Sequence, residues 1–342
     1  MKTTGGQRRD IALSARVRLA RNLKDLPFPG RMDADQAEQA LARLSKPLLD
    51  GGEDGFTLLR LDDGNRLEAR ALVERHLISP ELAGGGQPRG VALSRDGGLS
   101  VMIGEEDHLR IQAMGPGLCL TECLREAQRA DGLIERQETY AFDEALGYLT
   151  ACPTNLGTGL RASVMLHLPA LTGSGGMRDI VAAAGKMGLA VRGLYGEGTE
   201  ASGALYQVSN QITLGLSEEE IVSRVSDVTL HIIAREEALR AQYKQRRPRE
   251  YEDRVWRALG ALERARRLSG EEAMKLLSDL RWGVSMGDIA LPLETLDTLL
   301  PGIQPGVLTL SAARPLRPAE RDAARADYVR ETLGALARRE TK

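Results

Sequence analysis

Cys152-Pro-Thr-Asn-Leu-Gly-Thr158 and the run Arg161-Ala-Ser-Val-Met-Leu-His-Leu168 behind it decide how the rest of the chain is read. Pro, Asn and Gly set a turn in the first segment. The second alternates, with Val164, Leu166 and Leu168 toward a core and Arg161, Ser163, Met165 and His167 away from it, which predicts a half-buried strand. Leu146 to Cys152 predicts a partner strand before the turn. Working toward the N-terminus, His108, Arg110 and Gln112 alternate with Leu109, Ile111 and Ala113 in another strand. Val91 to Ser94 and Leu99 to Gly104 flank Arg95-Asp-Gly-Gly98, a hairpin signal. In Ile11 to Leu19, Ile11, Leu13, Val17 and Leu19 share one face and Ser14, Arg16 and Arg18 the other.

Helices are predicted from Asp33 to Leu49, Leu67 to Leu77, Gly117 to Arg129 and Asp179 to Gly188, and strands over Ala190 to Tyr195 and Ala204 to Leu214. The character changes at Ser217, which forms a capping box with Glu220 and opens a helix to about Gln245; Ser269 and Glu272 open another. Breaks are expected at Pro248, Pro292, Pro301 and Pro305. The fold class is α+β: a mostly antiparallel sheet flanked by helices, followed by an all-helical C-terminal domain.

The 342 residues are 42% apolar and 27% charged, which suits a globule with a real core. A net charge of −2 gives no reason to expect nucleic acid or a membrane surface as partner. No segment approaches the roughly 18 apolar residues of a membrane span, and Met1 to Asp10 is polar, so a cytoplasmic location is the expectation. Cys119, Cys123 and Cys152 are too few for a disulfide framework. Cys119 and Cys123 fall on one helix face without further zinc ligands nearby, and are expected to be core thiols.

The strand pattern makes one unusual prediction. Arg16 and Arg18, Arg110, Arg161 and Arg192 each lie on the polar face of a strand, and in one sheet their guanidinium groups would converge. Such a cluster is costly without anions, and arginine forks suit phosphate oxygens. Taken singly, each arginine is better explained by a surface carboxylate partner. Carboxylates sit close by: Glu105, Glu106 and Asp107 precede Arg110, with Glu106 on its face, and Glu197 lies in the Gly-rich loop Arg192-Gly-Leu-Tyr-Gly-Glu-Gly-Thr199. No P-loop occurs, and no His-Arg-Asp with Asp-Phe-Gly pair.

Cys152-Pro-Thr-Asn-Leu-Gly-Thr158 with Arg161 resembles the signature of phosphagen kinases, the family of creatine and arginine kinases. Ser14-Ala-Arg-Val-Arg18-Leu-Ala-Arg-Asn22 resembles that family's first phosphate-binding strand, and His76-Leu-Ile-Ser-Pro80 and Glu105-Glu-Asp-His-Leu-Arg110 follow in the expected order. Ala15 departs from the pattern, standing where the family often has a second serine. The similarity is greater to the bacterial protein-arginine kinases (McsB type) of that superfamily. The Arg192 to Thr199 loop has their form, the chain begins almost at the first phosphate-binding strand without the helical domain that encloses a free guanidine, and Arg321-Asp-Ala-Ala-Arg325-Ala326 resembles their phosphoarginine-binding motif.

The resemblance implies a phosphagen-kinase-like, glutamine-synthetase-like sheet, with a catalytic domain over residues 1–240 and a helical domain over 241–342 for dimerisation and phosphoarginine binding. It implies ATP with Mg²⁺, bound by Ser14, Ala15, Arg16, Val17, Arg18, His76, Arg110, Arg161, Ala162, Ser163, Val164 and Met165, and by Arg192, Gly193, Leu194, Tyr195, Gly196 and Glu197. Glu106 first, then Glu197, are expected to hold and deprotonate the acceptor guanidinium, with Cys152 either orienting it as a thiolate or serving as a buried structural thiol. Arg321, Asp322, Ala323, Ala324, Arg325 and Ala326 form the expected allosteric phosphoarginine site. Implied partners are arginine-bearing protein substrates, a second copy of the chain, a zinc-binding activator protein and a Clp-type AAA+ protease. Three alternatives share parts of this pattern: a kinase for a free guanidine, an inactive phosphoarginine-binding adaptor, and a glutamine-synthetase-like ligase.

Overall fold

The computed structural model describes residues 6–51, 55–194 and 201–337. Its strands are β1 (Ala12–Arg21), β2 (Thr57–Arg60), β3 (Gly90–Leu93), β4 (Leu99–Ile103), β5 (Leu109–Pro116), β6 (Phe142–Asp143), β7 (Gly147–Tyr148), β8 (Leu160–His167), β9 (Leu189–Gly193) and β10 (Leu205–Asn210). Among them run helices α1 (Ala34–Asp50), α2 (Arg66–Glu74), α3 (Pro80–Gly84), α4 (Leu120–Glu135), α5 (Pro169–Gly173) and α6 (Met177–Lys186). After them come α7 (Glu218–Arg246), α8 (Pro248–Arg264), α9 (Gly270–Ser285), α10 (Leu293–Gly302), α11 (Pro305–Ser311) and α12 (Pro318–Ala337). The large sheet has the order β2-β3-β4-β5-β1-β8-β10-β9, and β6 and β7 form a separate hairpin. This is the α+β architecture expected from the alternating segments, with a helical C-terminal region.

The chain divides into two compact units. The first comprises residues 1–164, 184–190 and 208–229, the second 165–183, 191–207 and 230–342. In the first, the ladders β1·β5, β2·β3, β3·β4 and β4·β5 are antiparallel, and Arg18 lies opposite Gln112 and Ala20 opposite Arg110. β1 buries Ala15, Val17 and Leu19 completely while Ser14, Arg16 and Arg18 stay half-buried, the period-two pattern read from the sequence. Helix α4 covers β1 and β5 through Leu120, Cys123, Leu124, Ala127, Ala130 and Ile134, a stripe at helical spacing. α1 starts at a capping box between Asp33 and Gln36 and buries Ala37, Ala40, Leu41, Leu44 and Leu48. Each such leucine contributes about 1.5–3 kcal/mol by leaving water.

The second unit is held by a buried polar network. Glu236 accepts the Ala170 and Leu171 N–H groups at 2.9 and 2.8 Å, satisfying donors at the start of α5, and also accepts Arg240 Nε at 2.8 Å. Arg240 Nη2 donates to the His167 carbonyl at 2.8 Å and to its ring Nδ1 at 3.2 Å, leaving Nε2–H for Ser278 Oγ at 2.8 Å. Burial, with Arg240, Arg281 and Arg254 beside it, holds the His167 ring far below its ordinary pKa and therefore neutral.

Several expected boundaries differ. The strand expected over Leu146 to Cys152 shrinks to β7, because Leu149 N donates to Ala141 O at 2.9 Å and Ala151 N to the Asp107 carboxylate at 2.7 Å rather than to a ladder. β10 stops at Asn210, whose side chain accepts Ala162 N at 2.8 Å and donates to the carbonyls of Leu160 and Ile212 at 3.0 and 3.1 Å, replacing the next rung. Ser163 and His167, expected to face away from the core, are 2% and 0% exposed, so the polar face of β8 is itself covered there. Pro301 does not break α10 but sits in its last turn, where the burial of Leu299 and Ile303 outweighs one missing hydrogen bond. The breaks expected at Pro248 and Pro305 are present, each proline opening a new helix at a first position that tolerates it.

Candidate active site

β1 and β5, neighbours in the sheet, and β8 on the other side of β1 carry Arg16, Arg18, Arg110 and Arg161 on one surface of the first unit. Repulsion within the group is visible in the ionisation of Arg16 and Arg18. Burial, then Arg110 and Arg161, push Arg16 down to about 10, and burial with Arg16, Arg110 and Arg161 holds Arg18 well below its ordinary value. Arg16 Nε reaches Ser163 Oγ at 3.4 Å, and Arg18 Nε is buried without a hydrogen-bond partner among the described residues. The first unit thus gathers several cations on one surface, which suits an anionic ligand.

Arg110 is the exception, since Glu105 and Glu106 hold it. Its Nη1 lies 2.8 Å from Glu105 and its Nη2 3.3 Å from Glu106. The two carboxylates differ in environment. Glu105 has a side chain 1% exposed, and burial raises its pKa against the pull of Arg110; Glu106 is 43% exposed, free to meet a second guanidinium from solvent.

The next residues of this loop tie it to the signature turn. Asp107 is fully buried, and its Oδ1 accepts Asn22 Nδ2 at 2.6 Å and Ala151 N at 2.7 Å, one residue before Cys152. Asn22 completes the tie by accepting His108 N at 2.8 Å. The His108 ring accepts Leu23 N at Nδ1, 3.0 Å away, and donates from Nε2 to Pro27 O, also at 3.0 Å. Burial keeps it neutral by lowering its pKa. Cys152 is half-buried with its Sγ 3.0 Å from Thr154 Oγ1, whose hydroxyl can donate to a thiolate, and Thr150 Oγ1 donates to the Cys152 carbonyl at 2.8 Å.

Arg21 clamps the other end of the turn. It is 2% exposed and donates to Thr158 O at 2.9 Å and Ala20 O at 3.0 Å. The same guanidinium pairs with Asp131 at 2.8 Å and Glu218 at 3.4 Å and stacks 3.6 Å from the centre of the Tyr148 ring. Gly157 sits at φ +101°, and a Cβ there would run into Thr213 O; Gly147, at φ +72°, faces Gly157 just as closely.

His76 is half-buried beside this surface in the left-handed region, at φ +61°. Its carbonyl accepts Gln112 Nε2 at 2.7 Å and the Leu77 carbonyl accepts Ser100 Oγ, which offsets the strain. Burial and Arg16 push the His76 ring down to about 4.

Of the other expected residues, Ala162 and Val164 are buried core positions of β8, Met165 is half-buried in the part of β8 within the second unit, and Ser14, Ala15 and Val17 lie along β1. Arg192 is exposed near the end of β9, with Gly193 and Leu194 after it in the second unit. Tyr195, Gly196 and Glu197 fall outside the described residues. Arg321 to Ala326 lie on α12, with Arg321 half-exposed and Ala326 buried. Arg325 is 3% exposed, and it donates to the carbonyls of Ile303 and Leu268 at 2.9 and 2.6 Å and pairs with Asp322 at 2.9 Å. Cys119 and Cys123 are buried core thiols with sulfurs 3.7 Å apart.

Sequence reasoning missed Arg21, Asn22 and Asp107. All lie inside motifs it quoted, but their work is to join segments far apart in the chain. Among the described residues no group of three or more His, Cys, Asp or Glu could hold a metal ion. No described helix is long and apolar enough to cross a membrane.

The C-terminal catalytic domain model of the ATP:guanido phosphotransferases matches residues 37–239, and the C-terminal domain model of the protein-arginine kinase McsB matches residues 248–342. Protein-arginine kinases from Moorella thermoacetica and Symbiobacterium thermophilum are 47% and 46% identical, each over 96% of this chain and 95% of their own length. One from Geobacillus stearothermophilus is 45% identical over 98% of this chain and 93% of its own. Among solved structures, a lombricine kinase superposes with a TM-score of 0.61 at 27% identity, over 70% of each chain. The duplicated taurocyamine kinase of Schistosoma mansoni gives 0.60 at 27% identity, over 68% of this chain and 34% of that one. Full-length similarity and the shared catalytic domain make this chain a phosphotransferase, and it belongs to the protein-arginine kinases of the ATP:guanido phosphotransferase family.

Proposed function

We propose that the chain moves the γ-phosphoryl of MgATP to a guanidinium nitrogen of arginine side chains in proteins, with Glu106 as the group that holds and deprotonates the acceptor. The observation that carries this is the gathering, within the first unit, of mutually repelling arginines and an exposed carboxylate four residues from Arg110. Arg16, Arg18, Arg110 and Arg161 receive the anionic donor. Phosphoryl transfer passes through a loose transition state with charge spread over oxygens, so a preorganised cationic surface supplies much of the rate. Mg²⁺ arrives on the nucleotide's phosphates.

The acceptor is a cation with a pKa above about 12, and therefore a poor nucleophile until a base takes its proton. Glu106 meets this need by exposure: exchanging its 3.3 Å pairing with Arg110 for the substrate guanidinium frees Arg110 for phosphate. Glu105, buried behind it, keeps Arg110 in place during that exchange. The Cys152 sulfur, oriented through Thr154 and the Asp107 tie, aligns the guanidinium. Glu197, outside the described residues, supplies the second carboxylate in this scheme.

Further parts of the assignment follow the same family. Residues 1–240 act as the catalytic domain. Residues 241–342 form a domain that dimerises and reads phosphoarginine through Arg321 and Arg325, one helical turn apart on α12. The enzyme works in the cytoplasm, marks proteins for a Clp-type protease and answers to a zinc-binding activator. Incubation with MgATP, offering casein alongside free arginine, tests the central reading. Acid-labile phosphate should appear on casein and fall at least about a hundredfold in Glu106→Ala. Product on free arginine alone would overturn it.

A further inference from the structure

The second unit contains a cavity of about 240 Å³ lined by Arg246, Arg247, Arg254, Tyr243, Trp282 and Gln242, with Pro169, Ala170, Gly173, Ser174 and Leu239 completing its wall. Among the described residues three arginines and no carboxylate line it. Arg254 is fixed by Asp279, from Nε to Oδ1 at 2.5 Å, with its guanidinium carbon 5.0 Å from the centre of the Trp282 ring. Arg247 pairs only at the surface, with Glu250 at 3.1 Å, and Arg246 is exposed with no ion pair among the described residues.

The floor is aromatic. Trp282 is 1% exposed, packed against Tyr243 and Tyr251 with ring centres 5.2 and 5.6 Å away, and its indole Nε1–H is buried with no acceptor among the described residues. Helix α8 begins at the same place: Arg247 is its N-cap residue and no side chain caps it, so its positive dipole end adds to the arginines. Charge and helix end both favour an anionic occupant.

We infer that this cavity is an anion site of the second unit that takes a phosphoryl group, either on a nucleotide or on a phosphorylated protein side chain. Arg246 and Arg247 would engage the phosphoryl oxygens, and the half-buried Tyr243 ring would receive a flat group beside the phosphate. The cavity's residues are separate from Arg16, Arg18, Arg110, Arg161 and Glu106 of the catalytic surface and from Arg321 and Arg325 of α12. Occupancy here is therefore independent of the catalytic assignment.

The chain has two tryptophans, and Trp256 is 52% exposed, so Trp256→Phe leaves Trp282 as the only indole reporter. Full-length Trp256→Phe protein would be titrated with inorganic phosphate, phosphoarginine, ADP and, as control, acetate. The expected result is a saturable change in Trp282 fluorescence with a phosphate-bearing compound, weakened at least tenfold in Arg246→Ala/Arg247→Ala while kinase activity and circular dichroism hold. Saturation by phosphoarginine but not ADP assigns the site to phosphorylated side chains, and the reverse assigns it to nucleotides. A response that is absent, matched by acetate, or unchanged in the double variant would overturn the inference.

Discussion

Arg18 shows how a single side chain can work against the fold in order to serve the chemistry. Desolvated, repelled by Arg16, Arg110 and Arg161, and with an Nε that has no hydrogen-bond partner among the described residues, it is a cation that costs the fold stability. Arg18→Met is therefore expected to raise the stability of the ligand-free protein by about 1–2 kcal/mol. The same change should lower kcat/KM at least about a hundredfold, because a preorganised cation is lost. Thermal unfolding with and without MgATP checks this: the variant should melt higher alone and gain less from nucleotide. The cluster itself was legible because alternation on β1, β5 and β8 assigns Arg16, Arg18, Arg110 and Arg161 to one side of a sheet. The environment of each residue was not. Glu105 and Glu106 are adjacent and identical in type, yet one is 1% and the other 43% exposed, a distinction made by packing alone. Likewise Arg325 sits one turn from Arg321 as its spacing required, but its bonds to the carbonyls of Ile303 and Leu268 depend on where α12 docks.

At the scale of elements, the catalytic loop and the signature turn are coupled by Asp107. Its Oδ1 holds both Asn22 at the end of β1 and the amide of Ala151, so it fixes where Cys152 stands relative to Glu106. Asp107→Asn keeps an acceptor oxygen and should retain the fold, losing about tenfold in kcat with a smaller change in KM for ATP. Asp107→Ala leaves two buried donors unmet and should cost about 2–3 kcal/mol as well. Comparing kcat against denaturation midpoints for the two variants separates positioning from stability. Helix ends were the most legible elements, because their signals are local. Ser217 and Glu220 hydrogen-bond each other's backbone at 3.1 and 2.8 Å, as the capping box predicts. Strand ends were less so. Asn210 terminates β10 by imitating a neighbouring strand with its side chain, and nothing in the local pattern announces that.

Across the whole molecule, three histidines are held neutral by burial. His76 is pushed down to about 4, and His108 and His167 are also lowered. A ring with a depressed pKa takes up its proton more readily in the unfolded chain, so the stability it permits is complete above about pH 6.5 and declines as the pH falls toward 4. Denaturant unfolding between pH 7 and pH 4 should show a progressive loss, and it should be shallower in His76→Gln; an equal slope in that variant would remove His76 as a cause. Fold class was the most legible property at this scale, since alternating segments followed by a helical tail admit few architectures. The long-range ties were the least legible, because each requires segments far apart in sequence to be already assembled.

Arg21 has a further consequence, for how the first unit comes apart. One buried guanidinium holds the carbonyl that ends the signature turn, the acid of α4 and the acid at the start of α7. These segments cannot loosen one at a time without stranding the same charge, so their opening is joined into a single cooperative event. The Cys152 turn, whose sequence of Pro, Thr, Asn and Gly looks like a pliable loop, inherits the rigidity of the two helices behind it.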